Sequence, residues 1–202
     1  MTIHVVGLGP GDPGLLTMQA ADLLRGGLPI LLRTRHHPTV EAMDPATFAS
    51  CDDLYQQEAS FDAVYPAVVA RVIERARSAG DLVYAVPGHP LVAERTVTAL
   101  LDAARAEEIE VRIYPAVSFV DAAAAALGID VGAAQLCDAL DLRIDAQRPA
   151  LIAQVFDRDT CTALKLALLD IYPAEHAVTV LRASGTLDAE VRTVPLAELD
   201  HA

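Results

Sequence analysis

The stretch TIHVVGLGPGDPGLLT, residues 2–17, decides the fold prediction. It predicts a buried β-strand over residues 2–6, a glycine-rich turn over residues 7–14 and a helix over residues 15–24. A strand, a tight turn and a helix in this order are typical of the βα unit from which parallel sheets are built. Open α/β sheets bind ligands at the carboxyl ends of their strands, so this turn is the first candidate for a binding loop.

The turn differs from two common phosphate-binding loops. A dinucleotide-binding G-x-G-x-x-G pattern would need a glycine where Asp12 stands, and Pro10 and Pro13 stiffen the loop. No Gly-Lys-Ser/Thr follows, so a Walker loop is excluded. A purely structural interpretation stays open beside the functional one, in which Asp12 caps the helix and Pro13 occupies its first position.

Outward from this stretch, short β-branched runs alternate with longer amphipathic segments, which favours an α/β fold. An N-terminal α/β domain is predicted over residues 1–116 and a C-terminal α/β domain over residues 117–202, with a ligand cleft between them. Further strands are predicted over residues 29–33, 81–86, 110–114, 150–156, 178–181 and 191–194, and further helices over residues 61–79, 91–105, 121–127 and 160–171.

Two more loops follow predicted strands. In VPGHPLVA, residues 86–93, His89 is expected to cap the next helix, with Pro90 at its first position, and a catalytic role for His89 is the alternative. In PAVSFVD, residues 115–121, Ser118 and Asp121 have the spacing of a helix-capping box. Ser118, His89 and Asp121 also have the residue types of a hydrolase triad, but no G-x-S-x-G motif surrounds the serine.

Composition excludes several classes of protein. The 202 residues are 53% hydrophobic, and 15 Lys+Arg against 28 Asp+Glu give a formal net charge of −13. Lys165 is the only lysine, so a nucleic-acid partner is not expected. No apolar run reaches the roughly 18 residues of a membrane span, and the first residues lack the pattern of a signal peptide.

Cysteine and histidine spacing points to the cytoplasm and away from a bound metal. Cys51, Cys137 and Cys161 are far apart and form no C-x-x-C pair, which argues against a disulfide framework and a zinc site. His36 and His37 are adjacent, without the H-x-x-x-H spacing of metal ligands. We expect a protein of the reducing cytoplasm with no metal.

Three segments, taken in order, carry a resemblance to a known family. GLGPGDPGLLT, YAVPGHPLVAE and PAVSFVDAAAAALGID resemble the tetrapyrrole methylases, S-adenosylmethionine-dependent enzymes that methylate corrinoid and porphyrinoid precursors. LLRTRHHPTVE, SFDAVYPAVVARV and ALIAQVFD look like the N-terminal methylase-like domain of MazG-type bifunctional proteins. In those proteins a nucleotide pyrophosphohydrolase domain follows on the same chain.

The resemblance implies two α/β domains of the tetrapyrrole methylase type, usually dimeric, with S-adenosylmethionine held in a cleft between them. This cofactor has no phosphate, so main-chain groups of small-residue loops can bind it without lysines. The cofactor-binding positions implied by the resemblance are Leu8, Gly9, Pro10, Gly88, His89, Val92, Ser118, Phe119, Gln154, Val155, Ala183, Pro195 and Leu196.

The implied function is methyl transfer from S-adenosylmethionine to an unidentified small-molecule acceptor, tetrapyrrole-like in the simplest case. Catalytic residues are not implied; Asp12, His89 and Asp121 are the candidate bases if the acceptor must lose a proton. Gly88-His89-Pro90 stands where many members have Gly-Asp-Pro, so an imidazole replaces a carboxylate. The alternative function is a non-catalytic cofactor-binding or docking module for a MazG-type pyrophosphohydrolase. Nucleotide hydrolysis by this chain is disfavoured because no paired E-x-x-E pattern lies on a predicted helix.

Overall fold

The structure is a computed structural model that describes residues 1–41, 43–57 and 61–202. Its contacts divide the chain into two compact units. The first unit contains Met1–Phe119 together with Gly185–Leu187, and the second contains Val120–Ser184 together with Asp188–Ala202. The sequence prediction placed one domain boundary between residues 116 and 117.

A five-stranded parallel sheet forms the centre of the first unit. Its strands are β1 (Thr2–Gly7), β2 (Ile30–Leu32), β3 (Phe48–Ser50), β4 (Leu82–Val86) and β5 (Glu110–Tyr114). Their order in the sheet is β3-β2-β4-β1-β5. Every residue of β4 is buried, as expected for a parallel sheet covered on both faces. The predicted α/β fold with a parallel sheet is therefore confirmed.

Helices cover both faces of this sheet because successive strand side chains point to opposite sides. The helices are α1 (Met18–Arg25), α2 (Pro38–Glu41), α3 (Asp52–Gln57), α4 (Phe61–Ala79) and α5 (Arg95–Ala106), with 3-10 turns at Pro13–Leu15 and Pro45–Thr47. Ile3 and Val5 belong to a core cluster with residues of α4 and α5, whereas Val6 belongs to a second cluster that contains Ala20 of α1.

Two predicted helices begin later than expected because a nearer residue caps each of them. The α1 helix begins at Met18, where the Thr17 hydroxyl accepts a hydrogen bond from the amide of Ala20 at 3.3 Å. The α5 helix begins at Arg95, after a Glu94 cap. Predictions for α4 and β5 agree with the structure at both ends.

The second unit contains two small sheets. Strands β6 (Gln135–Asp138) and β7 (Ala150–Ala153) are parallel, and β8 (Ala177–Arg182) and β9 (Glu190–Pro195) are antiparallel. The helices are α6 (Phe119–Leu127) and α7 (Arg158–Leu169), with 3-10 turns at Val131–Ala133 and Leu196–His201.

A small apolar core holds the second unit together, formed by Leu164, Leu168, Leu196 and Leu199. Beside it, residues of β7, α7 and β8 line an open cavity of about 1100 Å³. The single lysine, Lys165, donates to the Asp200 carboxylate at 2.7 Å. Across residues 1–41, 43–57 and 61–202, no helix combines the length and the apolar character needed to cross a bilayer.

Candidate functional site

Three loops of the first unit meet where β1, β4 and β5 end. The meeting point is Gly7, the last residue of β1. A Cβ atom added at Gly7 would lie 2.3 Å from the carbonyl oxygen of Gly88, 2.5 Å from Cβ of Ala116 and 2.9 Å from Cδ of Pro90. Only glycine fits here, and its absence of a side chain brings the three predicted binding loops into direct contact.

The first two loops are also joined through their main chains. The amide of Leu8 donates to the carbonyl of Val86 at 2.8 Å, and Gly9 and Gly88 exchange a pair of hydrogen bonds of 3.2 and 2.8 Å. Gly9 and Gly88 have φ angles of 75° and 66°, in the left-handed region that favours glycine. Among the described atoms none lies within 4 Å of a Cβ built at Gly88, so this main chain borders open space.

Two buried side chains from the segment after β2 support the first loop. Nε2 of His37 lies 3.1 Å from the carbonyl oxygen of Gly9. The hydroxyl of Thr39 donates to the carbonyls of Leu8 and Gly11, at 3.1 and 3.0 Å. His37 and Thr39 are 7% and 3% exposed. Sequence reasoning missed both residues, because it tested the adjacent histidines only as metal ligands.

The protonation state of His37 follows from its acceptor. A carbonyl oxygen only accepts hydrogen bonds, so Nε2 carries a proton. Nδ1 is buried and has no hydrogen-bond partner among the described residues. Burial lowers the pKa of His37 and outweighs the opposite effect of its bond to Gly9. The imidazole is therefore neutral at pH 7.

A buried polar network fixes the point where the second loop enters α5. The Glu94 carboxylate accepts from the Arg33 guanidinium at 2.7 Å and from the amide and hydroxyl of Thr96 at 3.0 and 2.6 Å. Tyr55 and Tyr84 complete it, bonded to Arg33 and to Thr96 respectively. Burial is the largest single effect and lowers the pKa of Arg33, but the Glu94 carboxylate together with Tyr55 and Tyr84 outweighs it, so the pKa of Arg33 is raised.

The structure gives each of the three candidate bases a distinct setting. The Asp12 carboxylate accepts from the amide of Gly14 at 2.7 Å and caps the 3-10 turn, so the structural role predicted for Asp12 belongs to that turn and not to α1. Nδ1 of His89 accepts from the amide of Leu91 at 3.0 Å within its own loop. The prediction that His89 caps the next helix is wrong, because Glu94 does so. Asp121 is exposed on the first turn of α6.

The other cofactor-binding candidates of the first unit differ in exposure. The Leu8 side chain is fully buried, which leaves its main chain to act, and Ser118 is 5% exposed. Pro10, Val92 and Phe119 are half-buried. Most of these positions can therefore offer main-chain groups or a small polar side chain, and none offers a fixed charge.

The candidates of the second unit lie at strand ends. Gln154 directly follows β7 and Ala183 directly follows β8, and both have left-handed φ angles, 66° and 49°. Such strain in residues other than glycine clusters at functional sites. Pro195 ends β9, Val155 lines the cavity of this unit, and the Leu196 side chain lies fully buried in its core. No group of three or more His, Cys, Asp or Glu side chains among the described residues could hold a metal ion.

Comparison with known proteins shows which sequences and structures this chain resembles. The chain is 38% identical, over 98% of its length, to the uncharacterized protein YabN of Bacillus subtilis strain 168 and spans 42% of that protein. It is similar to uroporphyrin-III C-methyltransferase of Thermus thermophilus, with a TM-score of 0.73, 23% identity and coverage of 98% of this chain and 84% of that one.

A structure of the Thermus thermophilus enzyme complexed with S-adenyl homocysteine has the same fold. It matches with a TM-score of 0.72 and 17% identity, covering all of this chain and 86% of that one. The sequence profile of the Tetrapyrrole (Corrin/Porphyrin) Methylases matches residues 2–200. Sequence and fold agree over almost the entire length, and the chain belongs to the tetrapyrrole methylase family.

Proposed function

We propose that this protein binds S-adenosylmethionine at the loops that follow β1, β4 and β5 and transfers its methyl group to a small-molecule acceptor. The observation that carries the proposal is the close packing of these loops around Gly7. This packing places Gly9 and Gly88, whose main chains have left-handed φ angles, at the carboxyl edge of a parallel sheet. Family membership and the S-adenyl homocysteine complex of the Thermus thermophilus enzyme support it.

The chemistry of the loops suits this cofactor. S-adenosylmethionine carries hydroxyl, amino, carboxylate and adenine groups but no phosphate, so main-chain donors and acceptors suffice to bind it. Gly9 would let the cofactor approach its main chain closely, Gly88 would offer its carbonyl oxygen, which can accept a second hydrogen bond, and Ser118 would offer its hydroxyl. The single lysine is bonded to Asp200 in the second unit. When bound, the cofactor supplies an already activated methyl group.

The residues of this chain would act by binding and by accepting a proton. If the acceptor carries a proton on the methylated atom, Asp12 or His89 would receive it, since both lie in the loops at Gly7. Gln154, Val155, Ala183, Pro195 and Leu196 are proposed as the contribution of the second unit. We further propose that the acceptor is tetrapyrrole-like, that the protein forms a homodimer and that it has a pyrophosphohydrolase partner.

Titration calorimetry tests cofactor binding, with Gly88→Ala as the informative variant and Gly27→Ala as its control. Both glycines have positive φ, 66° and 79°, and no described atom lies within 4 Å of a Cβ at either, so both variants have comparable backbone strain. We expect the wild type and Gly27→Ala to bind S-adenosylhomocysteine equally, and Gly88→Ala to bind at least about tenfold more weakly.

Two outcomes would contradict the proposal. No heat with S-adenosylmethionine or S-adenosylhomocysteine at high micromolar concentration would exclude the binding site. Binding without methyl transfer to any corrinoid or porphyrinoid acceptor, measured with a radiolabelled methyl group, would favour the docking module over the enzyme.

A further inference from the structure

Side chains from the segment after β2 hold the first loop through its carbonyl groups. Three of its carbonyls, those of Leu8, Gly9 and Gly11, accept hydrogen bonds from His37 and Thr39. These two donors lie on one short segment, where His37 precedes α2 and Thr39 lies in its first turn. We call this pair of side chains the carbonyl clamp.

The clamp constrains a loop that local sequence alone would leave variable. Gly9 and Gly11 adopt φ angles of 75° and 151°, and glycine has the largest choice of conformations in a free chain. A loop that is ordered before its ligand arrives avoids the entropy loss of ordering on binding. Because both clamp side chains are buried, their hydrogen bonds do not exchange readily with water.

We propose that His37 and Thr39 are positioning residues for cofactor binding, which set the affinity of the first loop without touching the ligand. The inference rests on the proposed function. It extends that function to the segment of residues 37–39, which contains none of the predicted cofactor-binding residues. The donor at Nε2 of His37 and the hydroxyl of Thr39 are the essential groups, and the remainder of each side chain fills space.

Matched substitutions separate the donors from the packing. Thr39→Val keeps the shape and removes the hydroxyl, whereas Thr39→Ser keeps the hydroxyl. His37→Gln places an amide nitrogen the same number of bonds from the main chain as Nε2, whereas the amide of His37→Asn is one bond short. Thr2→Val is the control, because Thr2 is also buried and its hydroxyl donates to Glu110 at 2.9 Å, at the start of β1.

Two measurements are made on each folded variant. The first is the Kd for S-adenosylhomocysteine by calorimetry, where loss of one donor group should weaken binding about fivefold in Thr39→Val and His37→Asn. Thr39→Ser, His37→Gln and Thr2→Val should stay within about twofold of the wild type. The second is amide hydrogen exchange of residues 8–14 without ligand, which should be faster in Thr39→Val and His37→Asn alone.

The outcomes separate this inference from the proposed function. Wild-type protein that binds neither S-adenosylmethionine nor S-adenosylhomocysteine overturns the proposed function, and the clamp is then judged by exchange alone. Unchanged exchange over residues 8–14 in Thr39→Val and His37→Asn overturns the clamp in every case. Unchanged Kd values in these variants, with a wild type that binds, overturn its role in affinity. Equal weakening in Thr2→Val would mean that general destabilisation causes the effect.

Discussion

The two units bury their strands to very different degrees. In the first unit, β4 is buried along its whole length and β1 at five of six residues. In the second unit, β8 alternates between exposed and half-buried residues, and β9 is exposed at five of six. A parallel sheet needs cover on both faces, whereas an antiparallel hairpin tolerates water on one. Candidate site residues in the first unit are therefore held by a rigid core, whereas those in the second, apart from the buried Leu196, lie on exposed strand ends.

Each unit has an ion pair with largely buried side chains beside others at the surface. In the first unit, the Arg33 and Glu94 side chains are 22% and 3% exposed, and the pair of Arg105 with Asp102 lies at the surface. In the second unit, the Lys165 and Asp200 side chains are 16% and 10% exposed, and the pair of Arg182 with Glu190 joins β8 and β9 at the surface. Exposed pairs contribute little to stability, while a buried pair cannot lose one partner without leaving a charge unpaired. The difference predicts where substitutions will matter.

The largest contrast is expected for leucines of opposite burial. Leu100→Ala removes a fully buried side chain from the core of the first unit and should lower the free energy of unfolding by about 2 to 5 kcal/mol. Leu136→Ala on β6 removes a side chain that is 50% exposed and should change it by less than about 0.5 kcal/mol. Urea denaturation measures both free energies of unfolding, and equal decreases in the two variants would contradict the difference in burial between the units.

A glycine comparison tests the junction of the three loops. Gly7→Ala should lower the free energy of unfolding by about 2 kcal/mol or more, because its Cβ would lie 2.3 Å from a main-chain oxygen. Gly132→Ala in the second unit should change it by less than about 0.5 kcal/mol, since its nearest neighbour is the movable Asp130 carboxylate at 3.1 Å. Thermal unfolding followed by circular dichroism compares the two, and a silent Gly7→Ala would refute the close approach.

His37 predicts a pH effect confined to the first unit. Its folded pKa lies below the ordinary 6.5, so below pH 6.5 the unfolded chain takes up a proton that the folded protein does not. The free energy of unfolding should therefore fall as pH drops from 7 towards the folded pKa, by at most about 1.4 kcal/mol per pH unit from this group. Urea titrations at pH 7 and pH 5 should show a smaller fall in His37→Gln; an identical fall would mean that His37 does not titrate abnormally.

Cysteine reactivity gives the smallest and most local contrast. Burial raises the pKa of Cys51 in the first unit to about 11, and its side chain is fully buried. At pH 8 only about one in a thousand of such thiols is ionised. Cys161 of the second unit is partly exposed. Iodoacetamide followed by mass spectrometry should modify Cys161 well before Cys51, and the reverse order would show that the first unit opens more readily.

Sequence patterns predicted the elements whose signal is long or strong. The α4 helix is 19 residues long and its apolar residues follow the helical period, while β5 contains β-branched residues and is bounded by clear breaks, so both were predicted to the residue. Strands β3 and β6 were missed, because three or four residues without regular alternation carry no periodic signal. The helices α1 and α5 begin later than predicted because Thr17 and Glu94 cap them.

The loops of the candidate site could be predicted from the sequence, but the side-chain contacts that support them could not. Glycine and proline mark the turns after β1 and β4, and their position at one sheet edge follows from a parallel fold. The pairing of His37 with Gly9, 28 residues away, depends on where the segment after β2 returns to the sheet. Adjacent histidines have no pattern that distinguishes a buried donor from an exposed side chain, and here one of each occurs, since His36 is exposed.

The position of β1 inside its sheet has a consequence for how the chain is made. Ile3 pairs with Leu82, and Thr2 with Glu110, so β1 leaves the ribosome well before either of the strands that it pairs with. At about 5 to 20 residues per second, the roughly eighty residues up to β4 take on the order of 4 to 16 seconds to synthesise. Throughout that interval an apolar strand has both edges unpaired. Translation speed upstream of residue 82 therefore sets how long the nascent chain is open to chaperones and to aggregation.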